Sequence, residues 1–175
     1  MNESSKKHVL VVDDEPDVRH YLGAILEDAG FTVTVAEDGE AALDIIKKSP
    51  PDFISLDLLM PRKSGHRLLY DLKKNKEWSK IPVLIVTAHA KDELGRDALD
   101  DLLENGIMSG PGTYLEKPVN PNSYIRAVQR ALGIPETDES AEKVTLKAEL
   151  RDKMNDADPV ALRRALEALR THVKK

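Results

Sequence analysis

Short apolar segments alternate with amphipathic segments along the first 133 residues. Residues 9–12 form a continuous apolar run, which is typical of a strand buried on both faces. Residues 18–29 then place apolar side chains at helical spacing, and Gly30 follows where a helix cap belongs. This alternation recurs along the chain. It predicts five β–α repeats, and hence an α/β fold with a doubly wound, five-stranded parallel sheet and helices on both faces.

The predicted elements can be placed along the chain from the same pattern. Strands are expected at 9–12, 31–36, 52–56, 81–87 and 113–116, and helices at 18–29, 41–48, 65–74, 90–104 and 121–132, with Asn120 as the cap of the last helix. Before the fifth strand, the stretch 105–112 either extends the fourth helix or forms a flexible loop, and its glycines and proline favour the loop.

The chain changes character after residue 133. Residues 1–6 are predicted to be a disordered polar tail, 7–133 the α/β domain, 134–141 a polar linker, and 142–175 a helical extension forming a hairpin. Asp158 and Pro159 form a helix-start signal in the extension. Leu162, Leu166 and Leu169 recur at helical spacing, and we expect them to line a contact with the domain or with a second copy.

Composition excludes several classes of function. The formal charge of −5 argues against a broad nucleic-acid surface, so no direct nucleic-acid partner is expected. No apolar run is long enough to span a membrane, and no membrane partner is expected. There is no Cys, which suits a reducing compartment. These observations favour a cytoplasmic protein.

Polar side chains follow four of the predicted strands. Asp13 and Asp14 follow the first strand, Asp57 the third, Thr87 ends the fourth, and Lys117 follows the fifth. Because the carboxyl ends of parallel strands share one edge of the sheet, these side chains are expected to converge. Three carboxylates suit Mg²⁺, and a nucleophilic carboxylate with a hydroxyl and an ammonium group can accept a phosphoryl group.

The motifs around these residues closely resemble the receiver domain of two-component response regulators, which has a flavodoxin-like fold. The matching segments are Val-Val-Asp-Asp-Glu at 11–15, Asp-Leu-Leu-Met-Pro at 57–61, Gly65, Thr-Ala at 87–88, and Tyr-Leu-Glu-Lys-Pro at 114–118. The resemblance covers about residues 6–133, with each motif at a strand end or in the loop that follows.

The resemblance implies a role for each matched residue. Asp57 would accept a phosphoryl group from a sensor histidine kinase or phosphotransfer protein. Thr87 and Tyr114 would be the switch residues, and Pro118 would follow a cis peptide bond. The expected Mg²⁺ ligands are Asp13, Asp14, Asp57 and the main-chain carbonyl of Leu59. The face made by the fourth predicted helix, the fifth strand and the fifth helix would then change its partner or self-association.

Two features set this sequence apart from the family's usual pattern. The stretch from Thr87 to Lys117 is longer than the family usually has. Leu59 and His89 border the expected path of water to the phosphoryl group, which predicts slow hydrolysis.

Two alternative functions stay open. A constitutive dimerisation or interaction module is one alternative. An aspartyl-nucleophile phosphatase is the other, but Leu59 stands where such an enzyme carries its general acid. The kinase, the downstream protein and the role of the extension stay open.

Overall fold

Five parallel strands form one sheet in the order β2-β1-β3-β4-β5. The computed structural model describes residues 6–60, 62, 64–88, 97, 100, 114–135, 146–147, 149–150, 152–154 and 157–172. Within these residues the strands are β1 (His8–Val12), β2 (Thr32–Ala36), β3 (Phe53–Leu56), β4 (Val83–Thr87) and β5 (Tyr114–Glu116). The all-parallel sheet confirms the predicted fold class.

Three helices connect strands of the sheet, namely α1 (Pro16–Asp28), α2 (Gly39–Lys48) and α3 (Gly65–Lys74), the last followed by a 3₁₀ turn at Trp78–Lys80. Helix α4 (Pro121–Ala131) follows the last strand, and α5 (Pro159–His172) lies in the C-terminal extension. The helix predicted over 90–104 lies outside the described residues, except for Asp97 and Asp100, which are helical. The predicted loop 105–112 lies outside them entirely. No helix within the described segments combines the length and apolar character needed to cross a membrane.

The alternation of side chains along β1 divides the core into two layers. Val9 and Val11 pack into a cluster with apolar residues of α1 and α4. Leu10 and Val12 point the other way, into a cluster with α2 and α3. All four are at most 1% exposed, as expected for a strand with a helix layer on each face. The strand that leads to the first polar residues at the carboxyl edge is therefore packed on both faces.

The helical extension is described only in part. The described residues between 146 and 154 are helical, and Leu146, Leu150 and Met154 are largely exposed. Lys147 Nζ lies 3.7 Å from Asp28 Oδ1 at the end of α1. Asp158 caps α5 as predicted, since its Oδ1 accepts a hydrogen bond from the backbone N–H of Val160. The leucine contact stays a prediction, because the side chains of Leu166 and Leu169 lie outside the described residues.

Helix α2 starts two residues earlier than predicted, because Asp38 caps it. Asp38 Oδ1 accepts hydrogen bonds from the backbone N–H groups of Glu40 and Ala41 at 3.0 and 2.9 Å. Replacing Asp38 with Ala is expected to cost about 1–2 kcal/mol of unfolding free energy, measured by urea denaturation. Asp44→Ala, at an exposed position of the same helix, is the control and should change it by less than about 0.5 kcal/mol. Equal losses in both variants would contradict the capping role.

Candidate functional site

The carboxyl ends of β1 and β3 bring Asp13 and Asp57 side by side. Val12 pairs with Leu56 in the sheet, so the residues that follow these strands are neighbours. The backbone N–H of Asp57 donates to the carbonyl of Val12 at 2.9 Å, which ties the two strand ends together. Asp13 and Asp57 are only 1% and 5% exposed.

Asp14 completes a cluster of three carboxylates. One oxygen from each of Asp13, Asp14 and Asp57 lies within 4.8 Å of the other two. Asp14 is the most exposed of the three, so the cluster opens to solvent on its side. This arrangement of hard oxygen donors could hold a divalent cation.

Lys117 reaches into the same cluster from the end of β5. Its backbone N–H donates to the carbonyl of Thr87 at 3.1 Å, and the Lys117–Pro118 peptide bond is cis. Its Nζ lies 2.7 Å from Asp13 Oδ2, 3.2 Å from Asp57 Oδ2 and 3.1 Å from Glu15 Oε1. With its side chain only 11% exposed, Lys117 is a partly desolvated counter-charge for all three acids.

The remaining predicted residues differ in how closely they approach the cluster. Thr87 is fully buried at the end of β4, next to the strand that carries Asp57. The backbone N–H of Leu59 donates to Asp57 Oδ1 at 3.2 Å, so this loop residue contacts the site directly. Tyr114 starts the edge strand β5 and is half exposed, without a described contact to the carboxylates. His89 lies outside the described residues.

The surroundings of Asp57 and Lys117 shift their proton affinities. Burial raises the pKa of Asp57, and the negative charge of Asp13 raises it further, which together outweigh the lowering effect of Lys117. Burial lowers the pKa of Lys117, but its hydrogen bond to Asp13 and the charge of Asp57 raise it well above its ordinary value. Lys117 therefore stays protonated, while Asp57 is held in a site that disfavours its anion.

The site carries more negative than positive side chains, which favours binding of a cation. The site holds four carboxylates, those of Asp13, Asp14, Glu15 and Asp57, and Lys117 contacts three of them. A divalent cation at the three aspartates would offset this excess and favour the ionised form of Asp57. The residues present therefore fit a small, hard divalent cation that prefers oxygen ligands.

The raised pKa of Asp57 predicts a specific pH dependence of stability. A carboxyl whose pKa is higher in the folded state stabilises the fold below its unfolded pKa of about 4, and that contribution is lost as pH rises through the folded pKa. Without divalent ions, Asp57→Asn should therefore gain stability over wild type as pH rises from about 4 to 7. Urea unfolding at a series of pH values measures the difference, and parallel curves would contradict it.

Two residues near the site were not predicted from the sequence. Glu15 contacts Lys117, and Arg19 Nη1 donates to the main-chain carbonyl of Asp13 at 2.7 Å. Glu15 could have been suspected, because it is the third acid in a row after β1. Arg19 carries no such signal, since an arginine on an amphipathic helix is ordinarily a solvated side chain.

The sequence matches a known domain family over most of its length. The sequence profile of the response regulator receiver domain matches residues 9–129. The chain belongs to the response regulator receiver family. A putative response regulator from Chloroflexus aurantiacus J-10-fl superimposes on this receiver domain with a TM-score of 0.62 and 29% identity, covering 74% of this chain and 99% of that one. The structural match agrees with the parallel sheet described above.

Curated relatives extend the match along the receiver domain. An uncharacterized 14.6 kDa protein of Leptolyngbya boryana is 35% identical over 130 residues, covering 74% of this chain and 93% of that protein. The probable transcriptional regulatory protein TcrX of Mycobacterium tuberculosis is 31% identical over 161 residues, covering 88% of this chain but 64% of TcrX. The chain thus spans only part of that regulator's length.

Proposed function

We propose that this receiver domain is a phosphorylation-dependent signalling switch in which Asp57 accepts a phosphoryl group. The observation that carries the proposal is the contact of Lys117 with Asp57 and Asp13, inside a cluster of three carboxylates at the sheet edge. The phosphodonor is the phosphohistidine of a sensor histidine kinase or a phosphotransfer protein. In this proposal the protein is a cytoplasmic phosphoacceptor, and the only reactions that it catalyses are its own phosphorylation and dephosphorylation.

Transfer requires Asp57 as the nucleophile. A carboxylate oxygen of Asp57 bonds to phosphorus as the bond from phosphorus to the donor nitrogen breaks, and the histidine imidazole leaves. Lys117 Nζ, already 3.2 Å from Asp57 Oδ2, would pair with a phosphoryl oxygen. Thr87 would donate its hydroxyl to another. Ala88, the small residue that follows it, leaves room for the incoming donor.

The proposed cation is Mg²⁺. Asp14 would ligate it directly, Asp13 through water, and Asp57 and the Leu59 carbonyl would complete the protein's share. When bound, Mg²⁺ offsets the charge of the carboxylates and of the transferring group. The excess of acids over Lys117 supports this assignment.

Switching would follow from the new charge on Asp57. Thr87 would move toward the phosphoryl group, and Tyr114, now half exposed on β5, would turn inward. The face built from the 90–104 segment, β5 and α4 would then bind a downstream protein or a second copy. In physical terms, phosphorylation stabilises one of two pre-existing arrangements.

A phosphorylation assay with a small donor tests the proposal. The full chain, incubated with acetyl phosphate and Mg²⁺, should gain one phosphoryl group by intact mass. Borohydride trapping should then locate it at Asp57. Asp57→Asn should gain none, whereas Asp52→Asn, at the opposite end of β3, should react like wild type. An unmodified wild type, or a reactive Asp57→Asn, would overturn the proposal.

Two further measurements separate the alternatives. Steady turnover of a phosphomonoester such as p-nitrophenyl phosphate would favour the phosphatase, which Leu59 in place of a second carboxylate argues against. Sedimentation velocity with Mg²⁺, with and without beryllofluoride, reports the output. A beryllofluoride-dependent dimer would make self-association the output, and a dimer in both states would support a constitutive module. A monomer in both states would direct attention to a separate partner protein.

A further inference from the structure

The loop after Asp57 contains an arginine in an unusual backbone conformation. Arg62 has a φ of 63°, and among the described residues it is the one non-glycine residue with a positive φ. This left-handed region brings Cβ too close to the backbone and is rarely occupied by long side chains. Such a residue persists where surrounding contacts hold it in place.

Those contacts come from the turn before α2. Arg62 Nη1 lies 3.2 Å from Asp38 Oδ2, and Nη2 lies 3.6 Å from Glu37 Oε1. The Asp38 side chain is only 4% exposed, whereas that of Arg62 is 66% exposed. The guanidinium therefore reaches from the surface onto a buried carboxylate.

The two oxygens of Asp38 have separate roles. Oδ1 caps α2 by accepting hydrogen bonds from Glu40 and Ala41, and Oδ2 pairs with Arg62. Helix α2 is itself anchored in the core through Ala42 and Ile46. The loop after Asp57 is thus attached through Arg62 to a rigid part of the domain.

The same loop carries the backbone groups that face Asp57. Leu58 is buried and its carbonyl accepts from the N–H of Gly65 at 3.1 Å, while Met60 is buried against the core. Between these two anchors, Leu59 donates its N–H to Asp57 Oδ1. Arg62 adds an attachment to Asp38 just beyond Met60.

We propose that the Arg62–Asp38 ion pair positions the loop that carries Leu59, and so sets both the Mg²⁺ affinity of the site and its rate of phosphoryl acceptance. Arg62 is a positioning residue, because it contacts Asp38 and Glu37 and acts on Asp57 through the backbone between them. The effect on the rate of phosphoryl acceptance rests on the proposed function. The effect on Mg²⁺ affinity concerns metal binding alone.

The test compares five versions of the 175-residue chain, wild type included, by calorimetric titration with MgCl₂ and by phosphorylation with acetyl phosphate. Arg62→Ala and Asp38→Asn should each weaken Mg²⁺ binding about three- to fivefold, the strength of one partly exposed ion pair. Each should slow phosphorylation at subsaturating Mg²⁺ to the same degree. Arg62→Lys keeps the positive charge and should restore most of the affinity. Arg67→Ala, at an exposed position of α3, is the control and should match wild type.

Two additional comparisons identify the cause. Arg62→Gly removes the side chain but suits the positive φ, so it should behave like Arg62→Ala if the ion pair matters. The Arg62→Ala/Asp38→Asn double variant should be no weaker than either single variant, because both remove the same contact.

The outcomes separate the inference from the proposed function. Unchanged Mg²⁺ affinity and rate in Arg62→Ala, or wild-type behaviour in Arg62→Gly, would overturn the inference while wild type still accepts a phosphoryl group. Additive losses in the double variant would also overturn it. A wild type that takes no phosphoryl group would overturn the proposed function, and with it the rate effect, whereas the Mg²⁺ titration would still decide the first effect.

Discussion

Replacing Lys117 with Met is expected to lower the free energy of unfolding by about 3 kcal/mol in the absence of divalent ions. Lys117 Nζ contacts Asp13, Asp57 and Glu15, and the first two of these carboxylates are buried. Methionine keeps the length of the side chain but leaves these charges without a counter-ion. Urea denaturation in the presence of a chelator measures the loss.

Lys7→Met is the matched control, because Lys7 also pairs with an aspartate that flanks β3, namely Asp52 just before the strand. The Lys7–Asp52 ion pair measures 3.1 Å, but its side chains are 47% and 38% exposed. Solvent screens such a pair, so its loss should cost less than about 1 kcal/mol. Mg²⁺ should narrow the gap between Lys117→Met and wild type, since it neutralises the same carboxylates. Equal losses in the two lysine variants would contradict the role given to Lys117.

Replacing Gly65 with Ala is expected to destabilise the domain by about 3 kcal/mol and to distort the loop that carries Asp57. A Cβ at Gly65 would collide with the main-chain carbonyl of Asp57 and would lie 2.9 Å from Leu58 Cα. Both obstacles are backbone atoms, so no side-chain rotation relieves the contact. The variant should therefore also bind Mg²⁺ more weakly than wild type, which titration calorimetry can measure.

Gly23→Ala is the control for Gly65→Ala, because both glycines are buried helical residues. A Cβ at Gly23 would meet Val33 Cγ1 at 3.7 Å, an ordinary van der Waals contact. Alanine inside α1 should then stabilise the protein by about 0.5–1 kcal/mol. If both variants lose or both gain stability, close backbone approach at Gly65 is not the cause.

The sheet could be predicted from the sequence because its strands report their surroundings locally. The apolar run of β1 predicted burial on both faces, and the two helix layers confirm it. The cap at Asn120 was likewise predicted from local sequence, and its side chain accepts from the N–H of Ser123. Asp38 was missed as a cap, because the apolar positions that mark α2 begin only at Ala41. Local signals thus placed the ends of the five described strands and of α1 to α4 to within about two residues.

The contacts that build the site could not be predicted in the same way. The order of strands places Asp13 and Asp57 together, which follows from the fold class alone. The contact between Lys117 and Glu15 joins residues 102 positions apart and depends on side-chain reach. The Arg62–Asp38 ion pair depends on a left-handed backbone at an arginine, where the sequence shows no glycine or asparagine to suggest it. Such contacts are set by tertiary packing rather than by any local pattern.

Strand β3 is flanked by two aspartates, Asp52 and Asp57, whose pKa values are shifted in opposite directions. Partial burial of Asp52 raises its pKa, but hydrogen bonds from the His8 N–H and from Lys7 Nζ lower it overall. Asp57 has a raised pKa, as described above. On acidification Asp57 should therefore take up a proton before Asp52, only five residues away in the sequence. In an NMR titration of the carboxyl carbons, the Asp52 signal would serve as an internal reference. Changes in the Asp57 signal on metal binding or phosphorylation could be measured against it.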